Sequence, residues 1–151
     1  RLVARDPGPM WAVMPLGGAQ VTVGGMGFPA PGKTRAADGA QLAWWGQGMA
    51  MLIGAAPGEV PGAALVDQSG GWACFELSGE GNEAVLARLV PLDLAAMEEG
   101  AVARSLLNHM PLALIRVAGG FRLFTFRSMA GTAGEELTRA MRGVAAREAV
   151  P

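Results

Sequence analysis

Cysteine, histidine and charge are all scarce in this 151-residue chain, and each scarcity removes a class of function. The one cysteine, Cys74, excludes an internal disulfide and any multi-cysteine zinc or iron–sulfur site built by this chain alone. The one histidine, His109, has no second histidine with which to share a metal. No serine or cysteine nucleophile stands beside it in a recognisable motif. Charged residues make up 17% of the chain, against about 25% in a typical soluble domain. Twelve basic and thirteen acidic residues nearly cancel, so the basic excess of a nucleic-acid binder is missing. No run approaches the ~18 apolar residues of a membrane span. No basic-then-apolar leader is visible, although the chain begins at Arg1 and not at Met. The expectation is a reduced, cytoplasmic setting.

Apolar residues, by contrast, are abundant at 51%. With so little charge to cover the outside, part of the surface is expected to lie against a partner. The chain is long enough for one domain that buries roughly two-thirds of its unfolded surface.

The stretch 67–94 organises the rest. Residues 72–78 have strand composition, with Phe75 and Leu77 on one face. Gly79 and Gly81 let the chain turn, and Glu80 and Glu83 sit where a helix start favours negative charge. Val85, Leu86 and Leu89 form one helical stripe, ended by Pro91. Nothing in this stretch looks like chemistry. Cys74 within it reads as core packing and not as a reactive thiol.

Residues 1–40 alternate glycine with proline and predict an irregular arm, with short strand possibilities at 11–14 and 20–23. The run 27–34, GFPAPGKT, meets the spacing of a phosphate-binding loop. Its context does not, because no buried strand precedes it and two prolines remove backbone donors. Residues 41–45 and 49–53 read as a hairpin around Gly46–Gly48. One of the adjacent Trp44 and Trp45 should then point away from the core.

Residues 102–109 and 112–117 read as extended and broken by Pro111, and 121–126 returns as a hairpin arm. A second helix is predicted over 132–147, with Thr132 and Glu135 at capping-box spacing and Leu137, Met141 and Val144 as its buried stripe. The order implies an α+β fold in two layers. Its centre is a ferredoxin-like strand–helix–strand–strand–helix unit with an extra N-terminal hairpin. The arm over 1–40 would precede a single domain over 41–151.

Several short motifs then stand in a fixed order. They are D-x-S at 67–69, L-S-G at 77–79, P-L-D-L at 91–94, V-A-R-S-L-L at 102–107 and F-R-S at 126–128. Together they resemble the gamma subunit of heterotetrameric bacterial sarcosine oxidase, over about residues 41–147. That family is similar to a shortened folate-binding domain of aminomethyltransferases. The family commonly has a helix before the D-x-S strand, for which 56–62 is too short and too rich in proline. The resemblance implies a subunit of a complex that oxidatively demethylates sarcosine to glycine, producing hydrogen peroxide and methylene-tetrahydrofolate. It implies alpha, beta and delta subunits as partners. It also implies that FAD, FMN and NAD sit on or between the larger subunits and zinc on the delta subunit. This chain alone would bind none of them. The K-G-C-x-x-G-[QE] signature of related folate-linked repair proteins is missing.

Arg104 and Arg127 fall in the family-like segments and are the candidates for a carboxylate, on a folate tail or on a partner. Solvated faces and local ion pairs are the plainer alternative for both. Trp44, Trp45 and His109 are candidate partner contacts, with core packing as the alternative for the tryptophans and a plain structural role as the alternative for His109. Asp67 and Asp93 read as turn-holding side chains, and no catalytic aspartate can be assigned by motif. The leading expectation is a non-catalytic structural subunit. The alternative is a free-standing folate-binding protein or aminomethyltransferase-like regulator.

Overall fold

The computed structural model describes residues 1–149. The first half is all strand: β1 (Leu2–Arg5), β2 (Met10–Pro15), β3 (Thr22–Val23), β4 (Met26–Gly27), β5 (Thr34–Ala37), β6 (Ala40–Gly46), β7 (Met49–Ile53) and β8 (Ala63–Asp67). The second half runs β9 (Trp72–Ser78), α1 (Asn82–Leu86), β10 (Val102–Leu107), β11 (Met110–Val117) and β12 (Gly120–Phe126). It ends in a 3-10 turn (Arg127–Met129) and α2 (Ala130–Glu148).

The strands make two five-stranded sheets, ordered β1-β9-β12-β11-β10 and β5-β6-β7-β2-β8, plus the ribbon β3-β4. Every pairing between these strands is antiparallel. The middle of the first sheet is buried on both faces, which explains the continuous apolar run in β11. Leu112 and Leu114 join Leu77, Phe121, Leu123, Leu86 and Leu137 in a core between that sheet and the helices. Ala113 and Ile115, one residue out of phase, join Met10, Met51, Trp45, Trp72 and Phe124 between the two sheets. A third cluster, around Val13, Leu42 and Leu52, lies with Val23 and Met26 of the ribbon. The protein is α+β, but its layers number more than two.

Three expectations are corrected. Residues 1–40 are not an irregular arm. β2 is an interior strand, paired to β7 on one side and β8 on the other, and β1 pairs with β9. Pro7, Pro9 and Pro15 bracket β2, where a missing donor is tolerated, and do not interrupt it. The ferredoxin-like unit gives way to a meander. Three strands, not two, lie between the helices, so β12 runs antiparallel to β9. The capping box is not formed. α2 continues directly from the 3-10 turn, which places Thr132 inside the helix, and Met129 at its start makes no side-chain cap bond. The expected stripe holds: Leu137 is fully buried, and Met141 and Val144 pack on the same core.

Candidate functional site

Antiparallel register decides where each candidate side chain points. Arg104 pairs with Ala113 across β10 and β11, which puts it on the face that looks at the second sheet. There it meets an aromatic cluster. Trp45 packs edge-on against Trp72 at 5.2 Å and against Phe124 at 5.5 Å. The Arg104 guanidinium lies 5.4 Å from the Trp45 ring and 5.7 Å from the Trp72 ring. Its Nη1 donates to the Trp45 carbonyl oxygen at 2.8 Å, which splices the two sheets. Burial alone lowers the Arg104 pKa, since desolvation disfavours the charge. The Nε–H of Arg104 and the indole N–H groups of Trp45 and Trp72 are buried with no acceptor among the described residues.

Trp45 is 1% exposed, so the expectation that it contacts a partner is corrected. Trp44 is half-buried and packs against the same inter-sheet cluster. Alternation would have turned one of these neighbours outward. A β-bulge between Trp44 and Gly46 inserts Trp45 as an extra residue and turns both rings to the same layer. His109 is exposed in the short turn between β10 and β11, beside Asn108, whose φ is 52°.

Arg127 is exposed, yet its donors are used. Nε donates to the Gly70 carbonyl at 2.8 Å and Nη2 to that of Ser69 at 3.3 Å. It clasps the loop between β8 and β9. Asp67 holds the same loop. Its carboxylate accepts from the Ser69 hydroxyl at 2.6 Å and the Ser69 amide at 2.9 Å, and these bonds lower its pKa. Asp93 accepts from the Ala96 amide, as a turn-holding aspartate should. Arg127 lines a cavity of about 440 Å³ with Arg5, Asp6 and Trp72, but its Nε and Nη2 are spent on the loop carbonyls, and the two arginines lie on different elements.

The phosphate-loop match also resolves into structure. Lys33 bridges to Ala101, the Val102 amide donates to the Gly32 carbonyl, and the Thr34 hydroxyl donates to the Gly100 carbonyl at 2.9 Å. Thr34 opens a strand and no helix follows. The segment joins one sheet to the other.

A groove of about 610 Å³ runs between β1, β9 and α2, with Phe75, Ala4 and Gly134 among its lining and Glu135, Arg139 and Arg142 along the helix. Arg139 is paired with Glu136 at 2.7 Å. No histidine, cysteine or aspartate lines the groove. Among the described residues no group of three His, Cys, Asp or Glu side chains is placed to hold a metal. Burial pushes the Cys74 thiol up to about 12, which leaves it protonated and inert at neutral pH. No helix among the described residues is long and apolar enough to cross a membrane.

No protein-family model matches the chain, and no curated protein matches it by sequence. A solved chain of the heterotetrameric sarcosine oxidase from Corynebacterium sp. U-96, in complex with pyrrole 2-carboxylate, has the same fold. It superposes with a TM-score of 0.80, covering 94% of this chain and 83% of that chain at 19% sequence identity.

Proposed function

We propose that this chain is a non-catalytic structural subunit of a sarcosine oxidase-type complex, in the position of the gamma subunit. The observation that carries the reading is the shared fold over nearly the whole chain with a member of a heterotetramer of that activity. The composition supports it, because a chain with 17% charged residues exposes apolar surface that a permanent assembly would cover. The engagement of the candidate arginines supports it too. Arg104 and Arg127 donate to the chain's own carbonyls, so neither offers a free fork to a folate tail. In this reading the flavins, NAD, zinc and the folate site belong to the alpha, beta and delta partners. The chain's task is to give those partners a rigid surface. The rival, a free-standing folate-binding protein, needs a pocket with a carboxylate receptor, and of the two arginines along the α2 groove Arg139 is already paired with Glu136 while Arg142 is an exposed side chain.

The test is a pull-down of the tagged chain from its own cell extract, read by mass spectrometry and by the visible spectrum of the eluate. Recovery of larger flavin-bearing chains, with sarcosine-dependent peroxide formation, is the expected result. A colourless chain recovered alone that binds tetrahydrofolate would overturn the proposal in favour of the rival.

A further inference from the structure

β1 is an outer strand of the first sheet, and part of its backbone is unanswered. Arg1 and Ser78 exchange both of their backbone bonds. The Arg1 amine donates to the Ser78 carbonyl at 2.6 Å, and the Ser78 amide donates to the Arg1 carbonyl at 2.9 Å. An antiparallel ladder alternates bonded and non-bonded pairs. Val3 and Arg5 therefore turn their N–H and C=O groups toward Glu76 and Cys74, and Leu2 and Ala4 turn theirs outward, away from β9. Among the described residues nothing bonds to those outward groups. The other edge of the sheet is closed in part by the chain itself. There the Val102 amide of β10 donates to the Gly32 carbonyl, and Ala101 bridges to Lys33.

The free edge of β1 opens on the groove of about 610 Å³. Leu2 and Ala4 line it from the sheet, and Gly131 and Gly134 line it from α2. Phe75 pairs with Ala4 and so lies on the same face, and it lines the groove too. A Cβ added at Gly131 would meet nothing within 4 Å, so no contact inside the chain fills that end. Arg142 also lines the groove. It is exposed and makes no ion pair among the described residues.

We propose that an extended segment of a different protein chain adds to β1 as a further strand. It bonds to the outward N–H and C=O groups of Leu2 and Ala4, lays apolar side chains in the groove and sets a carboxylate against Arg142. The proposal rests on the subunit reading above and names where such a partner is held. The backbone groups decide the kind of occupant. Two donors and two acceptors repeating every second residue along a strand are answered together by another extended backbone. A helix has already spent its own backbone groups. A second copy of this chain fits poorly. The two-fold antiparallel register that uses Leu2 and Ala4 of both copies sets Arg1 of each opposite Arg5 of the other, with like charges face to face.

The test uses the full chain co-produced with the flavin-bearing chains that it recovers. Ala4→Pro removes an N–H that the β1–β9 ladder does not use, so the edge strand tolerates it. Gly131→Leu fills the groove from α2 without meeting the chain's own atoms. Leu16→Glu, at an exposed apolar residue beyond β2, is the control. The expected result is partner recovery lowered about tenfold or more by each of the first two and unchanged by the control. Hydrogen exchange read residue by residue gives the second measurement. The Ala4 amide should exchange rapidly in the free chain and about tenfold or more slowly in the complex, while the Val3 amide, already bonded to β9, changes less. Recovery at the unaltered level in both variants, with Ala4 equally fast in the complex, overturns the added strand and leaves the subunit role standing. Loss in Gly131→Leu alone, with Ala4 still fast, overturns it in favour of a partner that enters the groove without pairing. Failure of the unaltered chain to recover any partner removes both readings. Sedimentation as a dimer that Ala4→Pro abolishes would assign the edge to self-association instead.

Discussion

The Arg104 guanidinium stacks on the Trp45 ring at 5.4 Å and donates to the carbonyl of the same residue at 2.8 Å. One side chain thus ties β10 of the first sheet to β6 of the second by a cation–π contact and a charge-assisted bond. Its desolvation works against that gain, because burial lowers its pKa. The contacts should outweigh the penalty, since a half-buried guanidinium keeps part of its hydration. Arg104→Ala removes both contacts and strands the Trp45 carbonyl. A loss of about 1–3 kcal/mol is expected in urea unfolding of the isolated chain. Arg104→Lys should lose less, because charge is kept while the planar fork is not. Equal midpoints for both variants and the parent would remove the splice from the account of stability.

Gly120 separates two kinds of glycine in this fold. It begins β12 opposite Ser78, and a Cβ added there would overlap the Leu77 carbonyl oxygen and crowd the Ser78 Cα. Backbone cannot yield as a side chain would. Gly119, its neighbour, has a φ of 71° and open space around it. Gly119→Ala should therefore cost only the left-handed backbone strain, about 1 kcal/mol. Gly120→Ala should cost about 3 kcal/mol or more, or prevent folding, since it pries β12 from β9. Thermal unfolding of the two variants side by side gives the comparison, and a Gly120→Ala midpoint equal to that of Gly119→Ala would contradict the close approach.

The elements visible in the sequence are those whose signal is local. β9 spans the predicted residues, the β6–β7 hairpin turns where its glycines predict, β12 starts one residue early, and α2 starts two residues early and ends one residue late. What stayed hidden depends on distant partners. β1 is specified by pairs such as Arg5↔Cys74; the strand possibility at 11–14 is met by β2, but its interior place rests on pairs such as Trp11↔Asp67, and no window of sequence holds both members. The direction of Arg104 was hidden for the same reason, because its pairing with Ala113 decides its face. Trp45 was misplaced by one inserted residue. Period-2 reasoning has no means to detect a bulge when the flanking residues are all apolar.

Cys74 ties pH dependence to the inter-sheet core. Its thiol is buried against β1 and β12, and desolvation is the main cause that lifts it from 9.0 to about 12, with Arg122 opposing the rise. The folded chain then holds this proton more tightly than the unfolded chain does. Its contribution to stability is complete below pH 9 and falls as pH rises from there toward 12, by up to about 1.4 kcal/mol per unit. Cys74→Ala should flatten that fall and cost about 1 kcal/mol at neutral pH. A thiol reagent at pH 8 should leave the folded chain unlabelled and label it fully in denaturant. Rapid labelling without denaturant would show that the core opens locally or that the thiol is not buried.

The segment Gly32–Lys33–Thr34 allows the last comparison, between a charge that spans space and a hydroxyl that closes a seam. Lys33 reaches Glu98 at 3.3 Å, with both side chains more than half exposed, a pair that salt and water weaken. Lys33→Ala should change stability by less than about 0.5 kcal/mol. Thr34 donates to the Gly100 carbonyl at 2.9 Å in a half-buried position. It also has little spare room, since a Cβ at Gly100 would come 3.3 Å from its hydroxyl oxygen. Thr34→Val keeps the volume but leaves that carbonyl without its donor, for an expected loss of about 1–2 kcal/mol. A phosphate loop would invert this order in the presence of nucleotide, because the lysine would then carry the binding. Unfolding curves with and without magnesium nucleotide settle the point. Nucleotide should leave the parent midpoint where it was, and Thr34→Val should be the less stable variant under both conditions. A midpoint raised by nucleotide in the parent and not in Lys33→Ala would restore the phosphate reading that the strand at Thr34 argues against.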